Sequence, residues 1–291
     1  MARGFFRSRY GLSDAVAAAR ALSGNGPVSI VLASSEYADV LTNWIGFARR
    51  AGTENVLVVA LDAVTGAVAR AHDVSSVTLT GISDRSALWV TRALLFAELA
   101  SAGVDFIHSD ADAIWLRSPF EDVLSLDVDI VFSSGTVWPP AVAERWGFVV
   151  CCGFFFSRGG PAAADFFTDV AARARACRDD QIAVNEALVA RSLVWDVPHE
   201  GQTRSHEGQT FRVFADTIVG RAASLRVAVL PQARFTRLAE VTADTVVAHP
   251  VTLWDEGVNH TQRLSRALGQ LGLWAPAQVH PVRRIHEGST V

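Results

Sequence analysis

The chain contains no lysine: all 26 of its basic residues are arginine. No side chain here can form a lysine Schiff base or act as an amine general base. Any phosphate held by a basic side chain is held by Arg or His. Acidic residues outnumber basic ones, 30 to 26, for a formal net charge of -4. That balance leaves no positive field to hold nucleic acid. Cysteine is scarce. Cys151 and Cys152 are adjacent, Cys177 stands apart, and no pair has zinc-type spacing. Neither a disulfide framework nor a zinc site is indicated, and a reduced, cytoplasmic setting is expected. No apolar run reaches the roughly 18 residues that a membrane span needs. Arg3, Arg7 and Arg9 precede an amphipathic stretch, Asp14 to Arg20, rather than the apolar core of a signal sequence. No repeat of domain size is present.

What the chain does have is apolar bulk, 50% hydrophobic over 291 residues, with 19% charged. That suits one large globular domain over residues 1–291. Val28 to Ala33, Asn55 to Leu61 and Val74 to Leu79 read as strands, and Glu36 to Ala51, Ala63 to His72 and Ser86 to Ala102 as helices. Ser83 or Asp84 is placed to cap the last of these. Such alternation predicts an α/β fold with a mostly parallel central sheet flanked by helices. Beyond Pro119, strands are expected at Val128–Ser133, Val149–Ser157, Leu193–Val197, Phe211–Phe214 and Arg226–Leu230. A loop is expected from Gly135 to Gly147. Helices are expected at Pro161–Arg178, from Arg178 to about Ala190, and at Glu256–Leu273.

The most informative stretch is Phe106-Ile-His-Ser-Asp-Ala-Asp-Ala-Ile-Trp115. Asp110 and Asp112 follow a strand-like run, at the carboxyl edge where open α/β sheets bind ligands. In extended backbone, residues at i and i+2 point the same way, and two such carboxylates repel unless a cation lies between them. Mg2+ and Mn2+ favour oxygen ligands and combine carboxylates with substrate phosphates. The pair therefore reads as a metal clamp for a diphosphate, against the plainer reading of a solvated turn. A local duplication, His199-Glu-Gly-Gln-Thr203 and His206-Glu-Gly-Gln-Thr210, reads as a polar hairpin or loop rather than a metal site.

From Trp89-Val-Thr-Arg92 through Asp110-Ala-Asp112 to Pro119, the sequence resembles nucleotide-sugar glycosyltransferases of the GT-A fold. It is most similar to the nucleotide-diphospho-sugar transferase family that contains plant α-xylosyl- and arabinosyltransferases (GT77). The bacterial α-galactosyltransferases of GT8 are more distant. The resemblance covers roughly residues 28 to 274 and implies a GT-A (Rossmann-like) fold. Its nucleotide-binding half is about 28–120 and its sugar and acceptor half about 121–274. It also implies roles for individual residues. Ala33 and Tyr37 follow the first strand, where Tyr37 either stacks on a uracil or packs against the sheet. Asp62 either nears the base and ribose or caps a helix. Arg92 reaches the nucleotide or sugar. Asp110, Ala111 and Asp112 form the metal and donor motif. Gly153 lies on a strand beside the donor, and Cys151 stands where relatives have Asn. Asp180 and Gln181 match the pair that lines the sugar in retaining relatives. His249 matches the third metal ligand. Relatives hold the diphosphate with a Lys; here Arg263 or His260 is the expected substitute.

The resulting expectation is a retaining glycosyltransferase using Mn2+ (or Mg2+). It moves a hexose or pentose from a UDP-sugar to a hydroxyl of a small-molecule or glycan acceptor, with no nucleic acid and no membrane span. A bacterial natural product is a plausible acceptor, met by the loop bearing Trp138 and Trp146. The rivals are a non-catalytic sugar-nucleotide-binding protein, a sugar-nucleotide hydrolase and a pyrophosphorylase. Retention of both carboxylates and His249 speaks against the first. Ala33-Ser-Ser-Glu36, which is not a glycine-rich phosphate loop, speaks against the last.

Overall fold

Apolar β-rich runs and amphipathic stretches alternate from the first strand onward, and each pairing of the two becomes a sheet strand with a covering helix. The structure, a computed structural model, describes residues 11–82, 84–198, 202–237, 241–252 and 257–276. In chain order, the first half holds α1 (Leu12–Leu22), β1 (Val28–Ala33), α2 (Ala38–Arg50), β2 (Val56–Ala60), α3 (Ala63–Ala71), β3 (Ser75–Thr78), α4 (Arg85–Ser101), β4 (Phe106–Ser109), β5 (Ile114–Trp115) and α5 (Phe120–Leu124). The second half holds β6 (Ile130–Ser134), α6 (Pro140–Trp146), β7 (Val150–Ser157), α7 (Pro161–Cys177), α8 (Asp180–Ala190), β8 (Val194–Asp196), β9 (Gln202–His206), β10 (Gln209–Val213), β11 (Ile218–Ala222), β12 (Leu225–Val229), β13 (Phe235–Thr236), β14 (Val247–Ala248) and α9 (His260–Gln270).

Nine strands form one sheet in the order β3-β2-β1-β4-β7-β6-β12-β11-β8. The sheet is parallel except where β7 and β11 run against their neighbours. Side chains alternate between its faces, as pleating requires. On β4, Phe106 joins the core beneath α1, α4, α7 and α8, while Ile107 joins the core beneath α2. The expected α/β architecture, a mostly parallel sheet with helices on both faces, is what the chain adopts. Among the described residues, no helix is long and apolar enough to cross a membrane.

Two registers place the site. Parallel pairing of β4 with β1, Ile30 opposite His108, brings the ends of both strands to one edge. Antiparallel β7 pairs Phe154 with Ser109, so the opening residues of β7, Cys151 to Gly153, meet the end of β4. The bond from Asp110 N–H to Gly153 O, 2.7 Å, closes that junction.

Several local expectations change. Asp110 and Asp112 sit in a turn, closed by Ala113 N–H on Asp110 O at 3.0 Å, and not in extended backbone. The 135–147 stretch is not all loop: Pro140 opens α6, as a missing N–H permits at a first helical turn. β11 leaves no clear mark in the sequence because Gly220 interrupts its apolar pattern; a Cβ there would lie 2.6 Å from the Trp195 ring. The terminal helix begins at His260, capped by Asn259, rather than at Glu256, which lies outside the described residues. So do Ser83 and His199 to Gly201; Asp84 caps α4. The second copy of the duplication is resolved as the turn and strand of the β9–β10 hairpin, with His206 opposite Gln209.

Candidate functional site

Ser109, the last residue of β4, anchors the Asp turn from below. Its hydroxyl accepts from the indoles of Trp44 and Trp115, both at 3.1 Å. Two buried aromatic donors on one hydroxyl fix the strand end on which the turn is mounted.

The turn presents one oxygen each from Asp110 and Asp112 within 4.8 Å of a ring nitrogen of His249. His249 follows β14; its N–H bonds to Thr236 O at 2.9 Å. Its Nε2 lies 3.4 Å from Asp112 Oδ1. Burial and the neighbouring Arg237 lower the imidazole's pKa, but Asp112 and Cys151 outweigh them, and it rises to about 9. Gly153 leaves the room this cluster needs. A Cβ there would fall 2.4 Å from His249 Cε1 and 2.5 Å from Asp110 Oδ2.

Asp110 uses its two oxygens differently. Oδ1 accepts from Arg92 Nη1 at 2.9 Å and faces His108 Nε2 at 3.3 Å. Oδ2 points toward Gly153 and His249. Burial opposes ionisation of Asp110, but the Arg92 guanidinium, helped by His108 and His249, holds its pKa well below the usual carboxylate range. Burial pushes His108 the other way, toward the neutral imidazole.

Arg92 continues to Asp180, to which Nε donates at 2.7 Å and Nη2 also donates. The neighbouring Asp179 caps α8, accepting from Ile182 N–H at 2.8 Å. That leaves Asp180 free of capping duty. Desolvation raises the Asp180 pKa against the pull of Arg92.

Gln181 is committed to backbone at both ends. Oε1 accepts from Cys152 N–H at 2.9 Å; Nε2 donates to Val150 O at 2.6 Å and to Trp138 O at 3.1 Å. One turn on, Asn185 accepts from Val150 N–H and donates to Val150 O, each at 3.0 Å.

Two cavities open on these residues. The first is lined by Ala33, Tyr37, Leu61, Trp89, Arg92, Ala111 and the two aspartates. Desolvation, reinforced by Asp112, pushes the Tyr37 hydroxyl up to about 12. The second shares Asp110, Asp112 and His260 with the first and continues past Gly153, His249 and Gln181 to Thr136, Trp138 and Arg237. Trp138 is 51% exposed there, while Trp146 packs on Phe148 and Trp195.

Of the residues expected at the site, Asp62, Asp180 and Arg263 line neither cavity, and Asp180 is buried behind Arg92. Asp62 caps α3 through Thr65 N–H at 2.8 Å and accepts from Ser35 N–H at 2.6 Å, which ties the turn after β1 to β2. Of the two residues expected in place of the relatives' Lys, His260 lines both cavities, whereas Arg263 donates to Val258 O at 2.6 Å. The structure adds Arg85, Trp89, His108 and Arg237. Arg85, Trp89 and Arg92 share one stripe of α4, a spacing that was readable. Arg237 was hidden by the brevity of β13, two residues long.

A family model described as nucleotide-diphospho-sugar transferase matches residues 51–254, more than half of the chain and the stretch that carries Asp110, Asp112, Asp180 and His249. Among solved structures, the galactosyltransferase LgtC with donor and acceptor sugar analogues has a TM-score of 0.42 and 13% identity. That match covers 84% of this chain and 95% of LgtC. The bifunctional glycosyltransferase WbbM has a TM-score of 0.40 and 11% identity over 55% of this chain. The glycosyltransferase GlyE of Streptococcus pneumoniae TIGR4 has 0.39 and 9%, also over 55%. The chain spans only 37% of WbbM and 43% of GlyE. No curated protein matches it in sequence.

Proposed function

Because this chain belongs to the nucleotide-diphospho-sugar transferase family and is a glycosyltransferase, we propose that it is a metal-dependent, retaining enzyme. Its donor is a UDP-sugar and its acceptor a hydroxyl of a small molecule or glycan. The observation that carries the proposal is the Asp110–Asp112–His249 cluster at the junction of two cavities.

The donor set fits a divalent cation. Two carboxylate oxygens and an imidazole converge, Asp110 Oδ2 is left for an ion by the use of Oδ1, and Gly153 keeps the space clear. Mixed oxygen and nitrogen ligation suits Mn2+ and tolerates Mg2+. The chemistry such an ion supplies is Lewis-acid stabilisation of the departing diphosphate.

The remaining work falls to side chains. Tyr37 and Trp89 give the first cavity flat walls for a base, with Ala33 and Ala111 small enough to let it in. Arg92 ties Asp110 to Asp180. Asp180, buried and outside both cavities, holds Arg92 in place in this reading. Gln181 is a feeble nucleophile, and its amide is already bonded to backbone. Its role in this reading is to hold the sugar-facing strand. A front-face transfer, in which the departing phosphate takes the acceptor proton, needs neither residue to form a covalent bond. Apart from Asp110 and Asp112, no carboxylate among the described residues lines the second cavity, so the Asp or Glu base that inversion ordinarily uses has no counterpart in that lining.

Thermal melting tests the proposal. UDP with Mn2+ raises the melting temperature, since a ligand bound only to the native state stabilises it. A shift with GDP and none with UDP overturns the uridine assignment. No shift with any nucleoside diphosphate overturns the donor reading.

A further inference from the structure

Cys151, where relatives carry Asn, lies at the start of β7 with its sulfur beside the metal cluster but outside it. The oxygens of Asp110 and Asp112 and the His249 nitrogen lie within 4.8 Å of one another, and Cys151 is not part of that group. The imidazole stands between. Its Nε2 faces Asp112 Oδ1 at 3.4 Å, and its Nδ1 faces Cys151 Sγ at 3.8 Å. The same sulfur accepts from Arg237 Nη1 at 2.7 Å and from Gly153 N–H at 3.4 Å. For the Arg237 charge, the thiol is the first partner, ahead of either aspartate. Nη1, Sγ and Nδ1 thus form a closed triangle, whose third side, Nη1 to Nδ1, measures 3.0 Å.

A neutral imidazole that ligates a cation needs a lone pair on the nitrogen that meets the ion, so its proton sits on the other nitrogen. An acceptor for that second N–H fixes the ring and its tautomer. Here Nε2 is the nitrogen beside the carboxylate, so the proton belongs on Nδ1. His249 is 7% exposed, and a buried donor left without an acceptor is costly. Two side chains reach Nδ1. Arg237 has only donors. Cys151 Sγ is the one acceptor recorded there among the described residues. The opposite arrangement is also within reach. When Arg237 donates to Nδ1, the ring proton sits on Nε2, points at Asp112, and closes His249 to a cation.

We infer that Cys151 is a positioning residue for the metal site: by accepting from Arg237 and from Nδ1–H together, its sulfur selects the His249 tautomer that leaves Nε2 open to the ion. This rests on the metal reading above. The ion's own ligands remain Asp110, Asp112 and His249, and no bond forms to the sulfur. The sulfur acts in two ways. It takes the guanidinium N–H that would otherwise turn on the ring, and it gives the ring's own N–H an acceptor. An apolar side chain of similar size does neither. A hydroxyl does both, over a shorter reach.

The test is titration of the full, nucleotide-free chain with Mn2+, the free ion being read by electron paramagnetic resonance. Wild type is compared with Cys151→Val, Cys151→Ser, Arg237→Met and the double variant Cys151→Val with Arg237→Met. Cys151→Val weakens Mn2+ binding about tenfold or more, the usual effect of removing the group that holds a ligating histidine. Cys151→Ser recovers part of the loss. Arg237→Met removes a positive charge and so raises affinity in either background. The gain is larger when combined with Cys151→Val, because there it also removes the donor that competes for Nδ1. Equal gains in the two backgrounds mean that Arg237 acts by charge alone, and they overturn the inference. Unchanged Mn2+ affinity in Cys151→Val overturns it too. Equal losses in Cys151→Val and Cys151→Ser, with lowered ligand-free melting temperatures, overturn it in favour of a packing role. Should Cys151→Val not fold, Cys151→Ala carries the same comparison. Failure of the wild-type chain to bind Mn2+, alone or with UDP, is a separate result, read on the unaltered protein, and removes the metal reading itself.

Discussion

At the scale of the residue, Asp110 and Asp112 carry different loads. Asp110 is wired into Arg92 and His108 as well as the cluster, so changing it disturbs packing and chemistry together. Asp112 makes one long contact, 3.4 Å to His249, and its side chain is the cleaner probe. Asp112→Asn keeps the shape and removes the charge. Turnover should fall by about a hundredfold or more, because the lost ligand weakens the group that stabilises the leaving diphosphate. Ligand-free stability should change by about 1 kcal/mol or less, as expected where no buried network is broken. Activity near wild type, or an unfolded chain, makes Asp112 structural. Arg92→Met should behave in the opposite way. It strands Asp110 and Asp180 without their shared cation, and breaking a buried pair costs about 3–5 kcal/mol. Urea unfolding of the ligand-free chain measures it; a loss near zero means the two carboxylates do not depend on Arg92.

At the scale of the element, the start of β7 and the start of α8 act as one piece. Gln181 and Asn185, one turn apart, grip Val150 and Cys152, and Gln181 also holds the Trp138 carbonyl. Gln181→Ala frees that carbonyl and loosens the strand opposite the metal cluster. Transfer should slow and acceptor KM should rise, while UDP affinity changes little, because Tyr37, Trp89 and the Asp turn are untouched. Steady-state kinetics with a nucleotide titration separate these; an unchanged kcat removes Gln181 from any role in transfer. This scale also marks where sequence reasoning stops. The α4 stripe and the β4 run were readable because burial imposes a period on them. The Asp180 environment was only half readable. Asp179-Asp180 announces a helix start, but which aspartate caps and which faces Arg92 depends on how α8 lies against α4. β13 and β14 are two residues each, too short for any period, and they are the strands that lead into Arg237 and His249.

At the scale of the whole molecule, the sheet order is what makes a site from distant parts. Asp110 and His249 are far apart in sequence, and no spacing rule joins them. They meet because β4 ends beside the start of antiparallel β7, and because β14 pairs with β5 immediately after the Asp turn. The alternation of strands and helices made the α/β class legible, whereas the reversal of β7 was not, since a buried strand reads the same in either direction. That reversal has a chemical consequence. It brings the start of β7 to the edge that carries the Asp turn, and with it the small residues Cys151 to Gly153, which line the second cavity with backbone and thiol. An inverting enzyme needs a base on the face opposite the leaving group. Among the described residues lining the second cavity, the carboxylates are Asp110 and Asp112 alone, and the proposal above gives both to the metal. Asp180 is bonded to Arg92 and buried. The acceptor is therefore expected to enter on the same face from which the diphosphate departs, with Trp138 as a flat surface against which it rests. An α-linked UDP-sugar should give an α-linked product. The one-bond and vicinal couplings of the anomeric proton in the purified product decide the matter. A β-linked product from an α-linked glucosyl, galactosyl or xylosyl donor means that a group other than these carboxylates, such as His260, serves as the base, and the retaining assignment fails with it.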